Sequence, residues 1–450
     1  MCITCKGRTP HLRRTLEINL RDNPGTNAVF VLLDYGSEDG TAEFIRDQHS
    51  DSIASGKLVY YRYEAARFKM AHAKNMAHRL GVREGGDVLV NLDADNLAGP
   101  GFADYVEGVF TATALDPQEV FLWSRMIKGV LQRGVNGRIA VSRNAFLISG
   151  GYDEKYETYS PDDKDFNFRL RRLGFCAQEI DPRYLGAIKH SDRIRFREYP
   201  EARDYTTAAA SVGTIHNNGR VVNDGVIGCG TVCRNFDPTP IVLGIIPTRL
   251  FGIGAHKTAT RSLASALAIL GFKTGHWENP YWAKMIWTEM RELGRSSILE
   301  RFYALCDQPI DQLYRELDRA YPNSRFILTT RSEADWVESA RNHFNPQLNP
   351  WVKTWHTDPF THKMHNRIYG RKTFEEGAFL AAYRRHNAEV LEYFKDRPSD
   401  LLVMDMSRGD GWLELCPFLD VPIPDVAYPI AGVTPCEPPP DPSPPDNGSR

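Results

Sequence analysis

The sequence has no apolar run long enough to cross a membrane. Its longest aliphatic stretch, Ile241–Ile246, is far short of the roughly 18–20 residues a spanning helix requires. It has no excess of one charge: Lys plus Arg number 55 and Asp plus Glu 57, for a formal net charge of −2. That excludes a chain held to nucleic acid by bulk charge. Cysteine is sparse, 8 in 450 residues without regular spacing, which excludes a disulfide framework and suits the reduced thiols of a cytoplasmic protein. Cys2-x2-Cys5 with Cys229-x3-Cys233 leaves a zinc site as the alternative. No charged n-region or apolar h-region precedes the first strand-like residues, so no secretory signal is expected. No internal repeat is found. What is present is ordinary globular composition, 42% hydrophobic and 25% charged, in a chain long enough for two or three domains.

The first 235 residues alternate short apolar runs with helical stripes. Ala28–Leu33, Leu58–Tyr63, Asp87–Leu92, Val120–Trp123 and Arg138–Val141 read as strands. Met70, Ala73, Ala77 and Leu80 recur at helical spacing. Such alternation predicts an α/β layer with a mostly parallel sheet. Residues 236–248, with three prolines, read as a linker. The pattern then restarts: a strand over Arg249–Ile253, a loop with Gly254 and Lys257, a helix from Thr260 to Leu270, strands over Arg325–Thr329 and Leu401–Met404, and a long helix over Phe374–Lys395. Residues 434–450 contain seven prolines and read as a disordered tail.

Three features of the first half carry chemistry. Asn91-Leu-Asp93-Ala-Asp95-Asn96 follows a strand directly, at the end where open α/β sheets bind ligands. Its two carboxylates suit Mg²⁺ or Mn²⁺ bridging a diphosphate, or form a solvated acidic turn. Asp34 ends a strand and could meet a base or ribose; past Gly36, Asp39 or Thr41 caps a helix. Gly150-Gly151 gives a flexible approach to a ligand. Beyond it, Asp162, Asp163 and Asp165 crowd a helix start, where the dipole favours negative charge and a carboxylate could act as a general base.

In this order the features resemble a GT-A-fold glycosyltransferase over about residues 1–200, closest to inverting family-2-like enzymes with a galactosyltransferase-type second half. The resemblance implies a Rossmann-like nucleotide-sugar domain over residues 1–235. It implies Arg8 in the first nucleotide loop and Asp34 at uracil or ribose. Asp93 and Asp95 look like the DxD pair, with Asp95 and His190 as metal ligands. Asp162 then belongs to the nucleotide-sugar site, and Asp163 is the catalytic base. The cofactor implied is Mn²⁺ or Mg²⁺ and the donor a nucleotide-sugar, UDP-linked. Tyr159-Ser160-Pro161 departs from the family's glycine-rich lead, so the sugar is not inferred.

In the second half, Phe251-Gly-Ile-Gly254-Ala-His256-Lys257-Thr258-Ala259-Thr260-Arg261-Ser262 is a strand–loop–helix anion cradle. It is not a Walker A loop, which from Gly252 would need Gly and Lys at 257 and 258. It resembles the 5′-phosphosulfate loop of sulfotransferases that use 3′-phosphoadenylyl sulfate (PAPS); the resemblance covers about residues 248–430 and implies a sulfotransferase domain over 249–433. The resemblance implies a P-loop-like α/β domain. Lys257, Thr258, Ala259, Thr260, Arg261 and Ser262 would hold the 5′ end, and Arg331 and Ser339 the 3′-phosphate. Lys257 would stabilise the leaving group, and Glu278, with His276 as the alternative, would be the base. Asp307 is a possible acceptor contact or a structural charge. The whole reads as a cytoplasmic bifunctional transferase acting on a carbohydrate or glycolipid acceptor. The alternative is a single-activity transferase whose other half is a nucleotide-binding scaffold.

Overall fold

The computed structural model describes residues 1–112, 119–124, 135, 137–156, 161–188, 221–276, 280–349, 352 and 358–431. These form two compact α/β units. The first is built on Met1–Arg249 and the second on Leu250–Ile298, Ala304–Leu317 and the chain from Arg325 onward.

The first unit is laid on a nine-stranded sheet. Its strands are β1 Cys2–Cys5, β2 Phe30–Asp34, β3 Leu58–Tyr63, β4 Val88–Asp93, β6 Val120–Trp123, β7 Ile139–Ser142, β8 Cys176–Glu179, β10 Gly230–Arg234 and β11 Pro240–Leu243; β5 Asn96–Leu97 and β9 Gly186–Ala187 pair separately. The order is β11-β10-β3-β2-β1-β4-β7-β6-β8, and β3, β2, β1 and β4 are parallel. β1 is fully buried, and its side chains alternate between faces. Ile3 and Cys5 join Leu12 and Leu16 of the helix Thr9–Asp22 in one core. Cys2 meets the helix Met70–Arg83 on the other face. There a Cβ at Gly81 would stand 2.9 Å from Cys2 Sγ, so glycine permits the close approach.

Strand succession reverses at β1: β2 and β3 lie to one side and β4 to the other. Outside the carboxyl ends at such a switch point, the flanking loops separate and leave a crevice. The loops after β1, β2 and β4 therefore share one edge, and they carry Arg8, Asp34 and the Asp93–Asp95 turn.

Two expectations are corrected. The stretch 236–248 is not merely a linker, because Pro240–Leu243 pairs antiparallel with β10; proline is tolerated on this outermost strand, where one side needs no donor. The zinc alternative fails on topology. β1, with Cys2 and Cys5, is three strand spacings from β10, which holds Cys233, about 14 Å at ~4.8 Å per step.

The second unit has five parallel strands: β12 Leu250–Gly252, β13 Thr274–Gly275, β14 Ala304–Cys306, β15 Arg325–Thr329 and β16 Leu401–Met404, in the order β13-β14-β12-β15-β16. Here β12 is the switch strand, and the loop after it opens into the helix Thr260–Ile269. The helices Glu333–His343 and Glu376–Phe394 pack through Trp336 stacked on Tyr383, ring centroids 4.4 Å apart. The long helix ends one residue short of the expected Lys395 and begins two after Phe374.

Candidate active sites

In the first unit the loops after β1 and β2 are stitched together by polar contacts. Lys6 Nζ donates to Gly36 O at 2.8 Å and Ala65 O at 2.6 Å, and Gly7 N donates to Ser37 Oγ at 3.1 Å. Asp39 does not cap its own following helix, whose N-cap is Gly40 at φ 83°. It accepts from Thr9 N at 2.9 Å and Thr9 Oγ1 at 2.7 Å, serving the helix that starts behind Arg8. Asp34 is fully buried. It accepts from Ser37 N at 2.8 Å, Tyr60 OH at 2.8 Å and Arg62 Nη1 at 2.7 Å. Its carboxylate thus organises the loop from within rather than presenting a free face to a base.

At the next loop, β4 delivers Asp93 and the turn delivers Asp95. Asp95 O accepts from Ile188 N at 2.8 Å, beside the β5–β9 pair. The chain is thus carried to Asp95 two residues before His190, which lies outside the described residues, as does Glu278. Arg138, buried, holds this corner by donating to Leu97 O at 3.1 Å, Asn96 Oδ1 at 2.8 Å, Gly186 O at 3.2 Å and Tyr184 O. Burial lowers its guanidinium to about 10, against the pull of Asp93 and Asp95.

Asp162 and Asp163 open the helix Asp162–Arg172 without capping it. Both reach Lys74 of the helix Met70–Arg83: Nζ is 2.8 Å from Asp162 Oδ2 and 2.6 Å from Asp163 Oδ1. Asp165 pairs instead with Arg169 at 2.7 Å. Burial pushes Asp162 up to about 7 and Asp93 up to about 6, with Lys74 opposing and the neighbouring carboxylates adding to the shift. Asp93, Asp95, Asp162 and Asp163, read separately in the sequence, therefore share one electrostatic neighbourhood around two cations, Lys74 and Arg138. Neither cation was singled out from the sequence. Lys74 had a signal: it sits between Ala73 and Ala77 on the apolar stripe, where an unpaired lysine is costly.

The glycines at 150 and 151 serve packing, not a ligand. At φ 75° and 67°, a Cβ on Gly150 would overlap Val222 O and one on Gly151 would overlap Asn75 Oδ1.

In this unit, no group of three or more His, Cys, Asp or Glu is assembled for a metal among the described residues. Mg²⁺-type ions are commonly held by one or two carboxylates plus substrate phosphate oxygens. The surplus negative charge at Asp93 and Asp95 fits such a cation.

In the second unit, Lys257 and Ala259 take left-handed conformations, φ 68° and 67°, which turns successive loop residues inward before the helix at Thr260. Gly254 permits this path: a Cβ there would overlap Thr329 Oγ1 and stand 2.6 Å from Thr258 Oγ1. Thr258 Oγ1 is within 2.7 Å of Ala255 O and 2.6 Å of Thr329 Oγ1, so its hydroxyl closes the loop. Ser262 Oγ accepts from Ala431 N at 3.0 Å. Trp336 Nε1 donates to His256 O at 2.7 Å, and His256 Nδ1 lies 2.9 Å from Tyr369 OH. Burial pulls the His256 imidazole down.

His276, at the end of β13, has Nε2 3.1 Å from Thr260 Oγ1 and 3.5 Å from Asp307 Oδ2. The structure thus joins His276, Asp307 and the start of the helix at Thr260. Arg331 follows β15, and its backbone is gripped by Tyr383: Arg331 N donates to Tyr383 OH at 2.9 Å, and the hydroxyl donates back to Arg331 O at 2.8 Å. Ser339 lies half-buried on the succeeding helix.

Residues 249–433, the greater part of the C-terminal unit, match the family model described as sulfotransferase domain. A curated relative, Ava biosynthesis cluster protein M of Aspergillus versicolor, is 26% identical over 208 residues, covering 39% of this chain and 78% of that protein. Among solved structures, GalNAc-T7 with UDP, GalNAc and Mn²⁺ is 14% identical over 40% of this chain and 41% of that chain, with a TM-score of 0.29. S. aureus TarS, residues 1–349, is 9% identical over 87% of this chain and 90% of that chain, with a TM-score of 0.36. Neither likeness carries weight for the N-terminal unit, whose reading rests on its own residues. No helix among the described residues is long and apolar enough to cross a membrane.

Proposed function

We propose that the chain is a two-activity transferase: inverting, metal-dependent glycosyl transfer from a UDP-sugar in the N-terminal unit, and sulfuryl transfer from PAPS in the C-terminal unit. The acceptors would be hydroxyls of a carbohydrate or glycolipid. The observation that carries the first activity is the convergence of Asp162 and Asp163 on Lys74, within the electrostatic reach of Asp93. Asp163, the more open of the adjacent pair, takes the acceptor hydroxyl proton. The acceptor oxygen forms its bond to the anomeric carbon as the bond to the diphosphate oxygen breaks, the electron pair leaving with the diphosphate. A divalent cation held by Asp95, with His190 as the further ligand proposed from the resemblance, would neutralise diphosphate charge.

In the C-terminal unit the loop 254–262 would hold the 5′ end of PAPS and Arg331 with Ser339 the 3′-phosphate. The acceptor oxygen attacks sulfur, and the S–O bond to the adenosine bisphosphate breaks. Lys257 offsets the charge appearing on the leaving oxygen. The acceptor proton would go to His276, whose Nε2 lies 3.1 Å from Thr260 Oγ1 and 3.5 Å from Asp307 Oδ2, or to Glu278 of the same segment.

The test is calorimetry on the full chain with 3′,5′-adenosine bisphosphate, then UDP with and without Mn²⁺. Two sites are expected, the UDP site needing metal. Asp95→Ala should abolish UDP binding alone, and Lys257→Ala should lower sulfuryl transfer about 10²–10³-fold while sparing UDP. Binding of only one nucleotide would overturn the two-activity reading. The saturation of Asp34 favours the second reading, in which the N-terminal unit is a scaffold, and failure of UDP to bind would select it.

A further inference from the structure

Adjacent residues at a helix start point about 100° apart, since the helix advances 3.6 residues per turn. Asp162 and Asp163 nevertheless bring one oxygen each to a single ammonium, at 2.8 and 2.6 Å. Their exposures differ: the Asp162 side chain is 2% exposed, Lys74 3% and Asp163 23%. One carboxylate is sealed with the lysine, and the other opens outward. Lys74 holds Asp163 by Oδ1. The second oxygen, Oδ2, faces the space left by the missing side chain of Gly137, where a Cβ would stand 2.9 Å away. Asn91 Nδ2 donates to Gly137 O at 2.9 Å and keeps that strip of backbone in place. Two buried atoms beside the cluster, Asn91 Oδ1 and the Tyr152 hydroxyl, have no hydrogen-bond partner among the described residues. The Lys74 ammonium lies 5.0 Å from the Tyr152 ring centroid.

We infer that Lys74 is a positioning residue for glycosyl transfer: it anchors Asp163 through Oδ1 so that Oδ2 meets the acceptor hydroxyl, and Asp162 is the counter-charge that lets the lysine be buried. The inference rests on reading Asp163 as the base. A buried lysine facing one carboxylate would lose its partner's charge when that carboxylate took a proton. Facing two, it keeps Asp162 while Asp163 becomes neutral, so the anchor survives the proton transfer. The proton passes from the acceptor oxygen to Asp163 Oδ2, and Lys74 stays protonated throughout.

The full chain is tested with Lys74→Met, Lys74→Arg and the double variant Lys74→Met/Asp162→Asn. The readouts are thermal melting, Mn²⁺-dependent UDP affinity, and UDP release from UDP-glucose, UDP-galactose and UDP-N-acetylglucosamine. Lys74→Met should lower the melting temperature, and the double variant should recover it by removing both sealed charges. In the double variant turnover should remain down about 100-fold or more although the melting temperature recovers. Lys74→Arg should restore part of the turnover. Recovery of turnover together with melting temperature in the double variant would reduce Lys74 to a neutralising charge and overturn the inference. An arm independent of turnover compares Asp163→Asn in the wild-type and Lys74→Met backgrounds. A drop in melting temperature only where Lys74 is present supports the anchor, and equal shifts in both overturn it. Full turnover by Asp163→Asn alone would instead sink the assignment of the base, a separate failure.

Discussion

Asp311 shows how one side chain can set a pH dependence. It lies buried after β14, with Gln312 Nε2 donating to Oδ2 at 2.8 Å and no partner for Oδ1 among the described residues. Burial raises its carboxyl to about 7. Between the ordinary carboxylate range and that value the folded protein binds more protons here than the unfolded chain. Stability therefore falls as pH rises through this window, by at most roughly 4 kcal/mol at about 1.4 kcal/mol per pH unit. Asp311→Asn should raise the melting temperature at pH 8, with the gain shrinking toward pH 5; a pH-independent difference would refute the argument. The same residue scale separates what the sequence reveals from what it hides. Asp93, Asp95, Asp162 and Asp163 stand out as acidic residues near strand and helix ends. Lys74 does not, because the carboxylates it meets lie on a helix 88 and 89 residues away. The cap expected from Asp39 was misassigned for a related reason, since its partner is the amide of Thr9 from a different loop.

At the scale of elements, the loop 254–262 is shaped by what it packs on. Gly254 lies against Thr329 of β15, so Gly254→Ala must push the loop off the sheet. We expect a loss of 3′,5′-adenosine bisphosphate affinity of tenfold or more, in line with the roughly 1–3 kcal/mol cost of overpacking, and a lowered melting temperature. Unchanged affinity in calorimetry would show that the loop does not hold the nucleotide. Tyr383, from the helix Glu376–Phe394, grips the backbone of Arg331 through both N and O. Tyr383→Phe removes a hydroxyl worth about 1 kcal/mol per hydrogen bond. It should weaken the same ligand about 3–10-fold while leaving UDP binding unaltered. The strands and helices themselves were largely legible, because apolar runs and 3.6-residue stripes are local patterns. Pro240–Leu243 was not: three prolines in 236–248 read as a linker, and only pairing with β10 makes a strand there.

For the molecule as a whole, two nucleotide sites predict two separable ligand responses. Adenosine bisphosphate and UDP with Mn²⁺ should each raise the temperature of unfolding by mass action. Asp95→Ala should cancel the UDP shift and leave the other within error, and Lys257→Ala should weaken the adenosine bisphosphate shift. Loss of both shifts from either change would contradict two independent sites. The sequence by itself determined the α/β class, the restart of the pattern near residue 249, the strand–loop–helix turn at 252–262 and the acidic strand and helix ends. Each is written in local spacing, within one turn or one strand. Only the tertiary structure decided that Asp34 is sealed by Tyr60 and Arg62, that Gly150 and Gly151 serve packing, that His276 faces Asp307, and that Lys74 joins Asp162 to Asp163. Those facts depend on the strand orders around β1 and β12, which bring distant segments to one edge, and burial there makes each charge require a partner that no local pattern names.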